Sequence, residues 1–469
     1  MRDAHTVAEV RAAEEPLLSA GVPLMARAAA GLTAVVTRRL PYVYGARVAL
    51  LVGPGNNGAD TLWAGGALAR RGAQVVAVLA GEAVPDALAG LLAAGGRVGD
   101  DSALGEAEVV LDGLVGIGGR GALRPAAAQL VSRIPEATYV VAVDVPSGVD
   151  ADTGAVEGPA VRADVTVTFG SLKPGLLIAR DHVGELLLVD IGLSLPAAEV
   201  QALEAADVAG LLPRTERGSD KYSRGVLGIA AGSQTYPGAA VLSVGAAVRA
   251  GAGMVRFVGA PHAAEQVRSR WPEVVVTEGP VLDAGRVHAW VVGPGLGIDA
   301  TDTVEAVLSQ EVPVLVDADA LTICAQHPEW LHRRGFATLL TPHDREFERF
   351  GRPIGSDRVG AARRLASDLG VHVLLKGDAT VVVGPSGVAR VNTTGSAVLA
   401  TAGSGDVLAG GIGALLAQGL DPLDAASVGA YLHGRAGALA ADGAGTSAGQ
   451  LLEHWPGAVR EARAGRVDG

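Results

Sequence analysis

From Arg47 onward the chain repeats one pattern: an apolar run of strand length, a glycine-rich turn, then an alanine-rich stretch of helical length. Apolar runs that do not alternate with polar residues fit strands buried on both faces. Helical stretches between them fit a largely parallel sheet covered on both sides. In the first series the pattern predicts strands at Arg47–Gly53, Gln74–Ala80, Ala107–Asp112, Tyr139–Val145 and Asp164–Phe169, with one or two capping helices before Arg47. The polar stretch Pro213-Arg-Thr-Glu-Arg-Gly-Ser-Asp220 breaks the rhythm, and a second series starts near Val226. Its predicted strands are Val226–Ala231, Met254–Gly259, Ala289–Gly293, Val314–Asp317, Thr338–Thr341, Val371–Leu375 and Thr380–Val383, followed by helices at Gly403–Gln418 and Leu423–Ala441. The expected class is α/β, as two three-layer αβα domains. The break falls at about 205–218, giving domains 1–212 and 213–469.

Composition narrows the function. Hydrophobic residues make up 49% of the 469, and Gly (66) with Pro (24) stays below low-complexity levels. With 3% aromatic residues the cores are built from Ala, Val and Leu. A net charge of −12 argues against a nucleic-acid surface, although helix N-termini hold anionic small ligands without net positive charge. The lone Cys324 excludes an intramolecular disulfide framework and multi-cysteine zinc sites, and fits a reducing, cytoplasmic setting. No apolar segment of signal-peptide length precedes Glu14 and Glu15. The most membrane-like stretch, Gly395 to Leu416, carries Asp406 and many glycines, and reads as a loop feeding a buried helix.

The first candidate site joins several strand ends. Gly53-Pro-Gly-Asn-Asn-Gly58-Ala-Asp60-Thr61 follows the first strand and opens a helix. Asp112 ends the third strand ahead of Gly116-Ile-Gly-Gly-Arg-Gly-Ala122, and Asp144 ends the fourth within Asp144-Val-Pro-Ser-Gly148. Each segment alone reads as a capped turn. Together they place carboxylates and free N–H groups around one crevice at the carboxyl ends of parallel strands. With Leu24-Met25, Lys173-Pro-Gly175 and Leu188-Val-Asp-Ile-Gly192, this set resembles the YjeF N-terminal family of NAD(P)HX epimerases over most of residues 5–195. The resemblance implies a Rossmann-like fold in which Asn56, Asn57, Gly58, Ala59 and Asp60, together with Gly116, Ile117, Gly118, Gly119, Arg120, Gly121 and Ala122, line a hydrated nicotinamide dinucleotide. It further implies that Asn57, Asp112 and Ser147 bind a potassium ion and that Asp144 contacts the substrate as a catalytic residue. Ala59 and Thr61 stand where the family has glycines, and a positive φ at either would be strained.

The second candidate site has no Walker A pattern. Its phosphate cradle is Thr401-Ala-Gly-Ser-Gly405-Asp406 at a helix start, where glycines expose N–H donors and the Asp serves as a cap or a base. Lys221-Tyr-Ser-Arg-Gly225, Pro237-Gly-Ala-Ala240, Arg249-Ala-Gly-Ala-Gly253, Gly293-Pro-Gly-Leu-Gly297, Asp317-Ala-Asp-Ala-Leu321, Thr341-Pro-His343 and Lys376-Gly-Asp-Ala-Thr380 accompany it. The ordered set resembles the ADP-dependent NAD(P)HX dehydratases, a ribokinase-like family, over about residues 215–455. That resemblance implies substrate contacts at Ala239, Gly295, His343 and Asp406, with Asp406 as the base. It implies ADP contacts at Lys376, Gly377, Asp378, Ala379, Thr380 and Gly405, and magnesium accompanying ADP. His343 also reads as a helix cap beside Pro342. The sequence departs from the family at Pro342-His-Asp-Arg-Glu346, Ala402-Gly-Ser-Gly-Asp406 and Ala438.

Both halves therefore point to repair of hydrated nicotinamide dinucleotides, one equilibrating the R and S epimers and the other using ADP to dehydrate S. The partners implied are NADHX, NADPHX and ADP, without nucleic acid or membrane; homo-oligomerisation stays open. The alternative is a ribokinase-like small-molecule kinase joined to a non-catalytic binding module, since a fold does not fix a substrate.

Overall fold

The computed structural model describes residues 1–214, 217–218 and 220–465. It divides into two compact units, Asp3–Val200 and Gln201–Gly469 with Met1–Arg2. The break lies upstream of the expected 205–218 window and of the domain edge at 212. The reason is packing: Leu203, Val208 and Leu212, on and beside the helix Ala205–Leu211, are buried in the core of the second unit. Arg463, in the last helix, donates to the Pro213 carbonyl at 3.0 Å. The polar stretch after Leu212 thus follows segments already committed to the second unit; its Thr215, Glu216 and Ser219 lie outside the described residues.

The strand β1 (Arg2–Ala4) is followed by two helices, α1 (Val7–Ser19) and α2 (Leu24–Arg39). Then comes the first unit's sheet: β2 (Arg47–Val52), β3 (Gln74–Leu79), β4 (Arg97–Gly99), β5 (Val109–Gly113), β6 (Tyr139–Val143), β7 (Val165–Phe169) and β8 (Glu185–Val189). Its order is β4-β3-β2-β5-β6-β7-β8, with every described pairing parallel. The chain starts at β2, runs outward to β4, and returns to β5. The reversal leaves a crevice beyond the carboxyl ends of β2 and β5, where ligands bind in such sheets. Helix α3 (Asn56–Arg70) opens directly from β2.

The second unit carries β9 (Val200–Ala202), β10 (Val226–Ala230), β11 (Met254–Val258), β12 (Val275–Thr277), β13 (Ala289–Val292), β14 (Val314–Val316), β15 (Thr338–Leu340), β16 (His372–Leu375), β17 (Thr380–Val383) and β18 (Ala389–Asn392). With β1 these ten strands form an 11-stranded sheet in the order β1-β9-β18-β17-β16-β15-β14-β13-β10-β11-β12. From β12 to β16 the pairings are parallel; β16, β17 and β18 pair antiparallel. The chain reverses again, here between β10 and β13. The strands predicted from continuous apolar runs are all present, whereas short strands such as β4, β9, β12 and β18 carry too little apolar pattern to be read in advance.

The membrane-like stretch becomes the helix Ser404–Ala417, nearly all of it buried. No single described helix is long and apolar enough to cross a membrane. Its glycines serve close packing: a Cβ on Gly410 would lie 2.0 Å from the Ser243 carbonyl oxygen of the neighbouring helix Pro237–Arg249. A backbone contact cannot yield as a side chain does. Gly410→Ala is expected to destabilise the second unit by about 1–3 kcal/mol through overpacking, read as a lower denaturant midpoint.

Candidate active sites

In the first unit the glycines of the β2 turn are fixed by contact. A Cβ on Gly53 would fall 1.8 Å from the Leu114 carbonyl oxygen, and one on Gly58 2.1 Å from that of Gly53. The turn delivers the α3 N-terminus to a cavity of about 760 Å³. Asn56, Asn57, Asp60, every residue from Gly116 to Ala122, and Asp144 line it. Gly58 and Ala59 do not: Gly58 packs on the turn behind it, and Ala59 is wholly buried in the core. Both belong to α3, so their neighbours reach the cavity while they face inward. Ala59 and Thr61 are helical, without positive φ. Thr61 Oγ1 donates to the Asn57 carbonyl at 2.8 Å, so replacing glycine here costs no backbone strain.

Asp144 takes the strain instead, with φ of 68° in a three-residue turn closed by Val145 N–H to the Val143 carbonyl. Its Oδ1 accepts from Lys173 Nζ at 2.6 Å and from Thr168 Oγ1 at 3.0 Å. Lys173 is wholly buried and also donates to Thr168 Oγ1 (2.9 Å) and the Phe169 carbonyl (3.1 Å), which uses all of its donors. Asp144 Oδ2 takes no hydrogen bond from the described residues, and the residue faces the cavity. Sequence reasoning quoted Lys173 only as part of a motif; its position just beyond β7, as Asp144 lies beyond β6, was the available signal. Arg11 and Glu14, on the cavity wall from α1, had none beyond amphipathic spacing.

Asp112 is completely buried at the end of β5. It accepts from Ser147 N–H (2.8 Å), Ser147 Oγ (2.7 Å) and Leu114 N–H (3.3 Å). Burial outweighs these bonds and pushes its carboxyl up to about 6. No described cation pairs with it. Burial, then the negative charges of Asp144 and Glu14, push Asp60 up to about 8. Burial and Asp144 raise Glu14 as well, against the pull of Lys173 and Arg11.

The second unit repeats the device with other parts. Lys376 Nζ, beyond β16, donates to Asp317 Oδ1 at 2.8 Å and lies 3.6 Å from Glu346 Oε2; Thr341 Oγ1 also donates to Asp317 Oδ1, at 2.9 Å. Burial alone would lower the Lys376 ammonium, but Asp317 and Glu346 outweigh it and raise it above its ordinary value. A Cβ on Gly405 would stand 3.6 Å from Lys376 Nζ, so the ammonium sits over the glycine helix start. Gly403, at φ 84°, turns the chain into that helix. Burial first, then Asp317, push Asp406 up to about 7, with Lys376 pulling the other way.

Ala239 and Gly295 lie together, a Cβ on Gly295 falling 2.7 Å from that of Ala239. Gly377, Asp378 and Ala379 form the turn between β16 and β17; Thr380 Oγ1 donates to the Gly377 carbonyl at 3.1 Å, and Ala379 is buried. His343 is the cap of the helix Asp344–Glu348, its Nδ1 accepting from Arg345 and Glu346 N–H while Glu346 bonds back to His343 N–H at 2.8 Å. The cap leaves Glu346 aimed at Lys376. His433 escaped sequence reading because nothing local marks it. It is buried with Nε2 3.1 Å from Ser404 Oγ and 3.0 Å from the Ser404 carbonyl, and burial pushes it down to about 4, so it is neutral.

Two family matches cover these parts: YjeF-related protein N-terminus over residues 21–175, and NAD(P)H-hydrate dehydratase over residues 227–455. The bifunctional NAD(P)H-hydrate repair enzyme of Mycobacterium leprae is 49% identical over 97% of this chain and 98% of its own length. The chain belongs to the bifunctional NAD(P)H-hydrate repair family. The Mycobacterium tuberculosis enzyme is 50% identical over 84% of each chain. Among solved structures, the ADP/ATP-dependent NAD(P)H-hydrate dehydratase of Bacillus subtilis, co-crystallised with ATP and Mg²⁺, is 28% identical with a TM-score of 0.51. It spans 56% of this chain and 99% of its own. A ribokinase-like protein of Enterococcus faecalis has a TM-score of 0.52 at 25% identity, covering 57% of this chain and 98% of its own. This repair enzyme thus joins a YjeF-type epimerase unit to a ribokinase-like dehydratase unit.

The raised Asp60 gives a test of the first site's electrostatics. A carboxyl near 3.8 when unfolded and about 8 when folded adds stability that is full below pH 4 and lost as pH rises through 8. Asp60→Asn removes that loss, so its melting temperature should match wild type near pH 4 and exceed it near pH 9.

Proposed function

We propose that the first unit interconverts R- and S-NAD(P)HX at Asp144 and that the second unit dehydrates S-NAD(P)HX with ADP, using Asp406 as base. The observation that carries this reading is a lysine held on a strand-end aspartate at each site, Lys173 on Asp144 and Lys376 on Asp317, the latter ammonium lying over the glycine-opened helix that carries Asp406. In the first unit Lys173 fixes one oxygen of Asp144 and leaves the other facing the cavity, where it exchanges a proton with the hydrated ring. Asp60, held protonated, supplies a donor across the same cavity.

In the second unit the N–H groups around Gly405 and the Lys376 ammonium receive the ADP phosphates. Asp406 takes the ring hydroxyl proton, the oxygen attacks the terminal phosphorus, and AMP leaves. The C–O bond then breaks, inorganic phosphate departs, a proton leaves the neighbouring carbon and the dihydronicotinamide is restored. Ala239 and Gly295 form the wall for the dinucleotide and His343 caps the helix that aims Glu346 at Lys376. Magnesium accompanying ADP would supply charge neutralisation of the phosphates held at the Gly405 helix start; the Bacillus subtilis dehydratase was co-crystallised with ATP and Mg²⁺. Asn57, Asp112 and Ser147 would hold a potassium ion; their all-oxygen chemistry and the buried Asp112, unpaired with any described cation, fit a hard monovalent cation that screens its charge. The enzyme is assigned to the cytoplasm, where these cofactors are used.

Asp144→Asn should abolish R-to-S conversion while ADP-driven loss of S continues, read by separating the epimers; wild-type conversion of R overturns the role of Asp144. Asp406→Asn keeps a helix-compatible side chain of similar size, so it should bind ADP and melt near wild type while turnover falls roughly 10²–10⁴-fold. Because the base must be ionised, dehydratase kcat/KM should rise with pH through about 7 and fall below it.

A further inference from the structure

We infer that Glu82 sets dinucleotide preference in the first unit, favouring the hydrate whose adenosine ribose carries a free 2′-hydroxyl over the one that carries a 2′-phosphate. The inference rests on the epimerase reading. The cavity is polarised along the sheet. Its reactive end lies beyond β6 and β7, where Asp144 and Lys173 meet. Its middle is the α3 N-terminus beyond β2, a seat for pyrophosphate. On the opposite side of β2 from β5 and β6 lies β3, and Ala80, Gly81 and Glu82, which follow β3, form that end of the wall.

A dinucleotide with its hydrated ring at Asp144 and its pyrophosphate on α3 therefore brings its adenosine ribose to the end of β3. In open α/β sheets, an acid following the glycine-turn helix and its next strand accepts hydrogen bonds from the ribose hydroxyls. Glu82 lies at that place. Residues 72–96 contain no Lys or Arg, and their only charged residues are Glu82 and Asp86. The arginines on the cavity wall, Arg11, Arg120 and Arg124, come from α1 and from the segment after β5. Arg11 reaches toward Gly118, its Nη2 3.2 Å from where a Cβ on that glycine would sit. A 2′-phosphate, carrying about −1.5 to −2 charge near neutral pH by analogy with other phosphate monoesters, would thus face a carboxylate on a segment that supplies no cation of its own. A 2′-hydroxyl would donate to it.

R-to-S conversion without ADP reads the first unit alone. Wild type is expected to show a kcat/KM for R-NADHX about tenfold above that for R-NADPHX. Glu82→Gln should narrow the ratio and Glu82→Arg should invert it. A wild-type ratio near one, or a ratio unchanged in both variants, overturns the inference. If wild type converts neither hydrate, the epimerase reading fails by itself. Glu82 is then tested by titrating the full chain with NAD⁺ and NADP⁺. Tighter NADP⁺ binding by Glu82→Arg than by wild type supports its role, since the substitution alters only the first unit, and equal affinities overturn it.

Discussion

Both units depend on a lysine held against a strand-end aspartate: the buried Lys173 with Asp144 at 2.6 Å, and the half-buried Lys376 with the buried Asp317 at 2.8 Å. Removing two charges from water is costly, and their attraction offsets the cost only where further hydrogen bonds complete the geometry. Thr168 and the Phe169 carbonyl do this in the first unit, and Thr341 and Glu346 in the second. Such a pair is a modest source of stability. Its value is positional: each ammonium fixes one carboxylate oxygen and leaves a second acidic function, Asp144 Oδ2 or Asp406, free for the substrate.

The sheets explain why the pairs sit where they do. A parallel strand ends in a turn whose last side chain faces the crevice left by the chain reversal, so polar groups gather there while the strand itself stays apolar. The same reversal occurs between β2 and β5 and between β10 and β13. Helices that start in these crevices need glycine because backbone carbonyls of adjacent turns approach them, as Leu114 approaches Gly53. Raised carboxyls at Asp60 and Asp406 follow from the same enclosure, since a closed crevice desolvates whatever it gathers.

Much of this was legible because the strand-end segments are local. Asp144 and the run Gly116 to Ala122 follow buried apolar runs and the structure brings them to one cavity wall, while Asp112, at the end of β5, is buried behind it against Ser147. Gly58 and Ala59 pack inward on α3, a facing set by helical geometry that the five-residue segment does not show by itself. The domain boundary was read from a break in polarity, but Val208 and Leu212 pack into the second core, a contact that local composition does not report.

The sequence by itself determined the fold class, the strand spans and the residue types at the two sites, because apolar runs, glycine turns and strand-end acids act within a few residues of one another. Tertiary structure alone decided that His433 seats the Ser404 turn, that α1 lends Arg11 and Glu14 to the cavity wall, and that Glu82 shares that cavity with Asp144. These groups lie far apart along the chain, and only the order of strands in each sheet sets which of them meet.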